Sequence, residues 1–227
     1  MSYAGLDQFK NQVDKVKADD DTNIQLLLDA ASDGIDRILG RPIGSFVADS
    51  SASARVYVGN GLDYVFIDEN VEVASVAVKD TYDATTYTAW ASTDWNTAGG
   101  SPEFPDWNGL PYTFIQIAPG GDYSRFISGI TRRSSGRRLR GYQRRRELPT
   151  IEVTAKWGFS VIAPNPIIEA NIAQAARWYK RGKGSWAIII GSGSMGTNRQ
   201  KGSATAPLDP DIETMIKKTR YYVPAIG

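Results

Sequence analysis

Residues 151–182, IEVTAKWGFSVIAPNPIIEANIAQAARWYKRG, constrain the fold more than any other stretch of this chain. Ile151, Val153, Ala155, Trp157 and Phe159 are apolar, while Glu152, Thr154 and Lys156 between them are polar. This period-two pattern predicts a strand in a sheet with one buried face. A short proline-marked turn follows. Asn165 then offers a helix cap, Pro166 suits the first helical turn, and Ile168, Ile172, Ala175, Ala176 and Tyr179 recur at helical spacing. Gly182, behind Lys180 and Arg181, is expected to close that helix. A β-layer with helices packed on it is the architecture these residues require.

Composition narrows the chemistry. In 227 residues of formal net charge +1 there is no cysteine and no histidine. Disulfides, thiolate metal sites, Ser-His-Asp triads and Cys-His dyads are therefore excluded. Neither a secretory leader nor a run of about 20 apolar residues is visible, so a soluble protein made in the cytoplasm, with no membrane partner, is expected. A hydrophobic content of 41% suffices for one core, or one core and a satellite.

Leu6, Phe9, Val13 and Val16 predict a first amphipathic helix. Asp21 or Thr22 caps a stronger one bearing Ile24, Leu27, Leu28, Ala31, Ile35, Ile38 and Leu39, stopped by Gly40 and Pro42. After a Ser/Ala-rich linker at 48–54, ARVYV, Gly59-Asn60-Gly61 and DYVFID predict a hairpin. Val71, Val73, Val76 and Val78 continue the β-pattern with a phase slip near Ser75, read as a bulge or short turn. TTYTAWAS and YTFIQIA are further strands, residues 93–111 read as loop, and 119–147 as a long aperiodic excursion. Asp209-Pro210 starts a last helix with Ile212, Met215 and Ile216. The expected class is α+β: a helical bundle from both termini with an inserted antiparallel β-module. Residues 1–53 and 161–227 supply the bundle, and 54–160 the β-module.

The order of these segments resembles a known family. DDDTNIQLLLDAASDGIDRILGRPI, then Arg55-Val-Tyr-Val-Gly-Asn-Gly, VEVASVAVKD and IEVTAKWGFSVIAPNPIIEANIAQAARWYKR, is similar to the siphovirus head–tail connector (adaptor) proteins along nearly the whole chain. The resemblance implies a virion structural protein of the phage neck. It would form a homo-oligomeric ring, commonly of twelve copies, between the portal protein and a stopper or tail-completion protein, around the channel for double-stranded DNA. It implies no catalytic residue, cofactor or metal. Two departures are the arginine-rich loop before IEVTAKWG and the long glycine-rich segment 183–208.

That loop carries the sharpest chemistry. Arg132, Arg133, Arg137, Arg138, Arg140, Arg144, Arg145 and Arg146 occur with no acidic residue among them. Such a run repels itself and calls for anions, with guanidinium geometry suited to phosphate or carboxylate. A loop facing channel DNA, a loop docked on an acidic rim of a partner, and a solvated tip all remain open. The alternative to the adaptor reading is a sequence-independent nucleic-acid-binding protein acting through this run. Gly191-Ser-Gly-Ser-Met-Gly196 matches G-x-G-x-x-G but lacks the following helix and distant acid of a dinucleotide site, and reads as a connector. Asp19, Asp20 and Asp21 suit helix capping better than a cation site. Among the tryptophans, Trp157 and Trp178 are expected in the core, with Trp95 and Trp107 as interface candidates. Lys217, Lys218, Arg220, Tyr221 and Tyr222 are the expected portal-docking group.

Overall fold

A computed structural model describes residues 2–13, 16, 18–131, 146–191 and 208–218. The chain divides into two compact units, Met1–Val47 with Ile162–Gly227, and Ala48–Val161. Among the described residues no helix is long and apolar enough to cross a membrane.

The first unit contains α1 (Leu6–Gln12), one 3-10 turn (Ala18–Asp20), α2 (Asp21–Leu39), α3 (Asn165–Gly191) and α4 (Pro210–Lys218). Helix α1 is short, and the Gln8 side chain reaches back to accept the Gly5 N–H at 2.8 Å. The apolar stripe of α2 puts Ile24, Leu28 and Ala31 against Phe9 of α1 and Ile172, Ala175 and Tyr179 of α3. Phe9 meets Tyr179 edge to face at 5.9 Å, a geometry the ring quadrupoles favour.

The predicted stop at Gly182 is not observed, because α3 runs on to Gly191. A glycine inside a helix costs only about 1 kcal/mol relative to alanine, which helix-competent neighbours readily offset. The buried face of α3 also includes two polar residues, Asn171 and Gln174, both fully buried. Asn171 donates to the Leu28 carbonyl and the Ser32 hydroxyl, each at 2.9 Å, and accepts the Ala4 N–H at 3.2 Å. Beside it the buried Asp36 carboxylate accepts the Tyr3 hydroxyl at 2.5 and 2.7 Å and the Gly44 N–H at 2.7 Å. Burial raises the Asp36 pKa, and the hydrogen bonds from Tyr3 and Gly44 offset only part of that rise.

Helix α4 is held to α3 by charge. Arg177 forms a bidentate pair with Asp211 (2.5 Å) and reaches Asp209 at 3.3 Å, while Arg181 meets Asp209 at 2.6 Å. Hydrogen bonding from Arg177 lowers the Asp211 pKa from 3.8 to about 2. A depressed carboxylate favours the folded state above its unfolded pKa, and that contribution is lost as pH falls through about 2. A carboxyl titration followed by NMR should therefore show Asp211 with a midpoint near 2, returning toward 3.8 in Arg177→Gln. An unchanged midpoint in that variant would refute the pairing.

The second unit contains β1 (Ser53–Tyr57), β2 (Tyr64–Val78), β3 (Thr88–Ala89), β4 (Trp95–Ser101), β5 (Phe104–Asp106), β6 (Tyr112–Ile117), β7 (Ile130–Thr131), β8 (Arg146–Glu147) and β9 (Ile151–Trp157). A seven-stranded antiparallel sheet has the order β1-β9-β2-β6-β4-β5, with β3 on β2; β7 and β8 form a separate ribbon. Strand β9 is buried at every second residue, as its alternation predicts. Strand β2 is 15 residues long and changes partner midway. Its first half pairs with β6 and its second half with β9, and Asn70 pairs with both. Buried Asn70 donates to the Asp68 and Tyr112 carbonyls at 3.0 and 3.1 Å, covering groups the register shift would otherwise strand. A further shift between Val73 and Ser75 lies where the apolar phase slips.

Three further expectations need correction. The expected helical bundle from both termini with an inserted β-module gives way, among the described residues, to four helices and a seven-stranded sheet in roughly equal measure. The α2–α3 pair carries two short helices, and the mostly central strands make up a body with its own core. The hairpin between β1 and β2 does not form, since β9 lies between them. Its Gly59–Gly61 turn gives its hydrogen bonds to the 127–150 region instead. Residues 93–111 are not loop but largely strands β4 and β5. Glycines hide the alternation there: a Cβ on Gly99 would sit 2.8 Å from the Gly109 and Pro111 carbonyl oxygens.

The sheet core gathers Val65, Ile67, Val76, Ile115, Val153 and Trp157 on one face. Trp90 closes over it, stacked between Tyr123 at 4.0 Å and Phe126 at 5.2 Å. The excursion that begins at 119 is thus pinned by a fully buried Phe126 before it reaches the arginines.

Candidate functional site

The residues that flank the arginine run are tightly fixed in the sheet unit. Ile130 pairs with Glu147 and Thr131 with Arg146, bringing the two ends of the run side by side. Beneath this ribbon, the Thr150 hydroxyl donates to the Ile127 carbonyl at 2.7 Å and accepts the Gly59 N–H at 3.0 Å. The Thr150 backbone bridges Tyr57 and Lys79 at 3.0 and 2.9 Å. Gly129 donates to the Gly59 carbonyl at 2.9 Å and accepts from the Leu148 N–H at 3.0 Å. These approaches leave no room for side chains. A Cβ on Gly129 would lie 2.0 Å from the Leu148 carbonyl oxygen, and one on Gly59 1.9 Å from that of Ile127. Sequence reading flagged the arginines and missed this clamp, whose members look like ordinary turn glycines and a buried threonine.

Of the predicted basic residues, Arg132, Arg133, Arg137, Arg138, Arg140, Arg144 and Arg145 lie outside the described residues, and Arg146 is described only as backbone in β8. The arrangement places both ends of a dense cationic segment on one rigid mount. Chemically, such a segment suits phosphates or clustered carboxylates, and its attraction for them weakens with salt.

The tryptophan candidates separate. Trp95 on β4 packs against the sheet core and has its indole N–H buried. Trp107 is 45% exposed and borders a surface groove. The groove lies on the face opposite the core, where Tyr64, Gln116 and Asn96 stand in register across β2, β6 and β4. Two adjoining hollows of about 480 and 570 Å³ share Gln116. Phe66, Pro102, Trp107 and Pro119 supply apolar walls, and Asp63 and Glu103 supply the charge.

Lys217 and Lys218 end α4 on its exposed side, where Lys217 pairs with Glu213 one turn earlier; Arg220, Tyr221 and Tyr222 lie outside the described residues. Gly191 closes α3, and the remainder of the glycine motif lies outside the described residues too. Of the three consecutive aspartates, Asp20 accepts the Tyr179 hydroxyl at 2.6 Å and Asp21 pairs with Lys10 at 2.7 Å. Among the described residues no cluster of three potential metal ligands occurs. Against models of known protein families the chain finds no match, and a search of the curated proteins likewise returns no significant match.

Proposed function

We propose that this chain is a non-enzymatic ring adaptor of a tailed-phage neck, joining the portal protein to a stopper or tail-completion protein around the DNA channel. The ordered resemblance of residues 19–43, 55–61, 71–80 and 151–181 to head–tail connectors motivates the reading. The single observation that supports it best is the clamp beneath the arginine run. Thr150, Gly59 and Gly129 fix both ends of the run on the sheet unit, so that the segment is presented from a firm base. Repeated around a ring of twelve, such segments would meet either the phosphates of passing DNA or an acidic rim on the portal or tail side. The virion neck is the site of action on this reading.

The second reading, a sequence-independent nucleic-acid-binding protein, rests on the same eight arginines uninterrupted by an acid. Deleting the gene decides the primary reading. The expected product is DNA-filled heads and separate tails, joined again when the protein is supplied. Normal tailed particles from the deletion would sink the adaptor reading. Duplex binding by the purified chain that falls steeply with salt, and is lost on Arg→Glu changes across 137–146, would then favour the second.

A further inference from the structure

We propose that the groove on the outer face of β2, β6 and β4 receives residues 219–227 of a second copy of this chain. The groove offers Tyr64, Phe66, Pro102 and Trp107 as apolar contacts, with Asp63 and Glu103 exposed at its border. Neither lysine nor arginine lines it among the described residues. An exposed aromatic hollow carrying only negative charge selects a partner that is aromatic and basic.

The segment after α4 has that composition. Residues 219–227, TRYYVPAIG, hold the basic side chain of Arg220, two adjacent tyrosines and a proline, with no acidic side chain. Extended, residues 219–227 reach roughly 30 Å, enough to cross three strands about 4.8 Å apart and fill both hollows. Proline favours an extended backbone of low conformational entropy, and aromatic-lined surfaces accept such segments at little ordering cost. The glutamine shared by the hollows, Gln116, supplies donors and acceptors for the peptide backbone.

A segment of one copy seated on the next is a head-to-tail contact, which propagates in one direction and closes into a ring when the rotation permits. The inference deepens the adaptor reading by naming a contact between neighbouring subunits. It assigns residues 219–227 to a sister subunit rather than to the portal.

The test uses two variants of the full chain. One lacks residues 219–227, and the other carries Glu103→Lys with Trp107→Ala, both at exposed positions. A fluorescent peptide of residues 219–227, amidated at its end, should bind the first variant saturably in an anisotropy titration. Binding should weaken at least about tenfold when Glu103→Lys or Trp107→Ala is added to that variant, the range expected for a central anchor. Mixed together, the two full-chain variants should associate in sedimentation velocity, each having what the other lacks, while each alone does not self-associate through this contact. Absence of peptide binding, or binding indifferent to both substitutions, overturns the proposal, as does capture of the peptide by the portal alone. Because Glu103→Lys alters only an exposed charge, its result does not depend on a core substitution being tolerated. Whether gene deletion separates heads from tails is decided independently, so this contact and the adaptor reading fail separately.

Discussion

Gly129→Ala should lower the stability of the sheet unit by about 3 kcal/mol, the upper range for overpacking a close-packed site. The added methyl would stand 2.0 Å from the Leu148 carbonyl oxygen and 2.9 Å from a Val58 methyl. The first contact is with backbone, which yields only if the ribbon of β7 and β8 moves. That movement would also break the Gly129–Gly59 and Leu148–Gly129 hydrogen bonds, at 2.9 and 3.0 Å. The measurement is a urea titration followed by tryptophan fluorescence, since Trp90 stacks on Phe126, three residues before Gly129. A midpoint equal to that of the unchanged protein would show that the base of the arginine run is pliable. On the adaptor reading proposed above, Gly129→Ala should also impair head–tail joining at temperatures where the chain remains folded.

Asn171→Asp should destabilise the helical unit by a similar amount, about 3 kcal/mol, from a buried charge facing unmatched partners. Its amide nitrogen donates to the Leu28 carbonyl and the Ser32 hydroxyl. A carboxylate there would keep the Ala4 N–H on one oxygen but aim the other at the Leu28 carbonyl, with only the Ser32 hydroxyl able to turn a proton toward that second oxygen. The Asp36 carboxylate, buried in the same unit, adds a second acid. The introduced group should therefore have a folded pKa well above its unfolded one. Such a group is least damaging below its unfolded pKa and increasingly damaging as pH rises toward its folded value. The variant's deficit should thus be smaller near pH 4 than at pH 7, measured against the unchanged chain at each pH. A deficit independent of pH would mean that the amide contributes shape alone.

What the sequence made legible follows from how local each signal is. The alternation of β9 and the stripe of α2 are local, and their burial follows the pattern: Ile151, Val153 and Ala155, like Ile24, Leu28 and Ala31, are inside. Strands β4 and β5 were illegible because close backbone contact at Gly99 replaces side-chain alternation as the reason for the strand. The partner of β1 was illegible because turn chemistry at Gly59–Gly61 is local, whereas β9 lies on the order of 100 residues away. The burial of Asn171 and Gln174 has no local signal, because it depends on distant partners, Ala4, Leu28, Ser32 and Asp209. Trp95 and Trp107 shared one glycine-rich segment and only the sheet distinguishes them, one against the core and one beside the groove. The arginine run was plain in the text, while its mount was not.

The position of β9 between β1 and β2 also bears on synthesis. Among the described residues, strand β1 has no partner in the sheet other than β9, and the second half of β2 has only the short β3 besides it. At translation rates of about 5–20 residues per second, β1 waits roughly 5–20 s on the ribosome before β9 exists. During that interval the arginines emerge beside a negatively charged ribosomal surface, ahead of the strand that fixes their base. Folding of the sheet unit should therefore complete late and in one step, when IEVTAKW clears the exit tunnel.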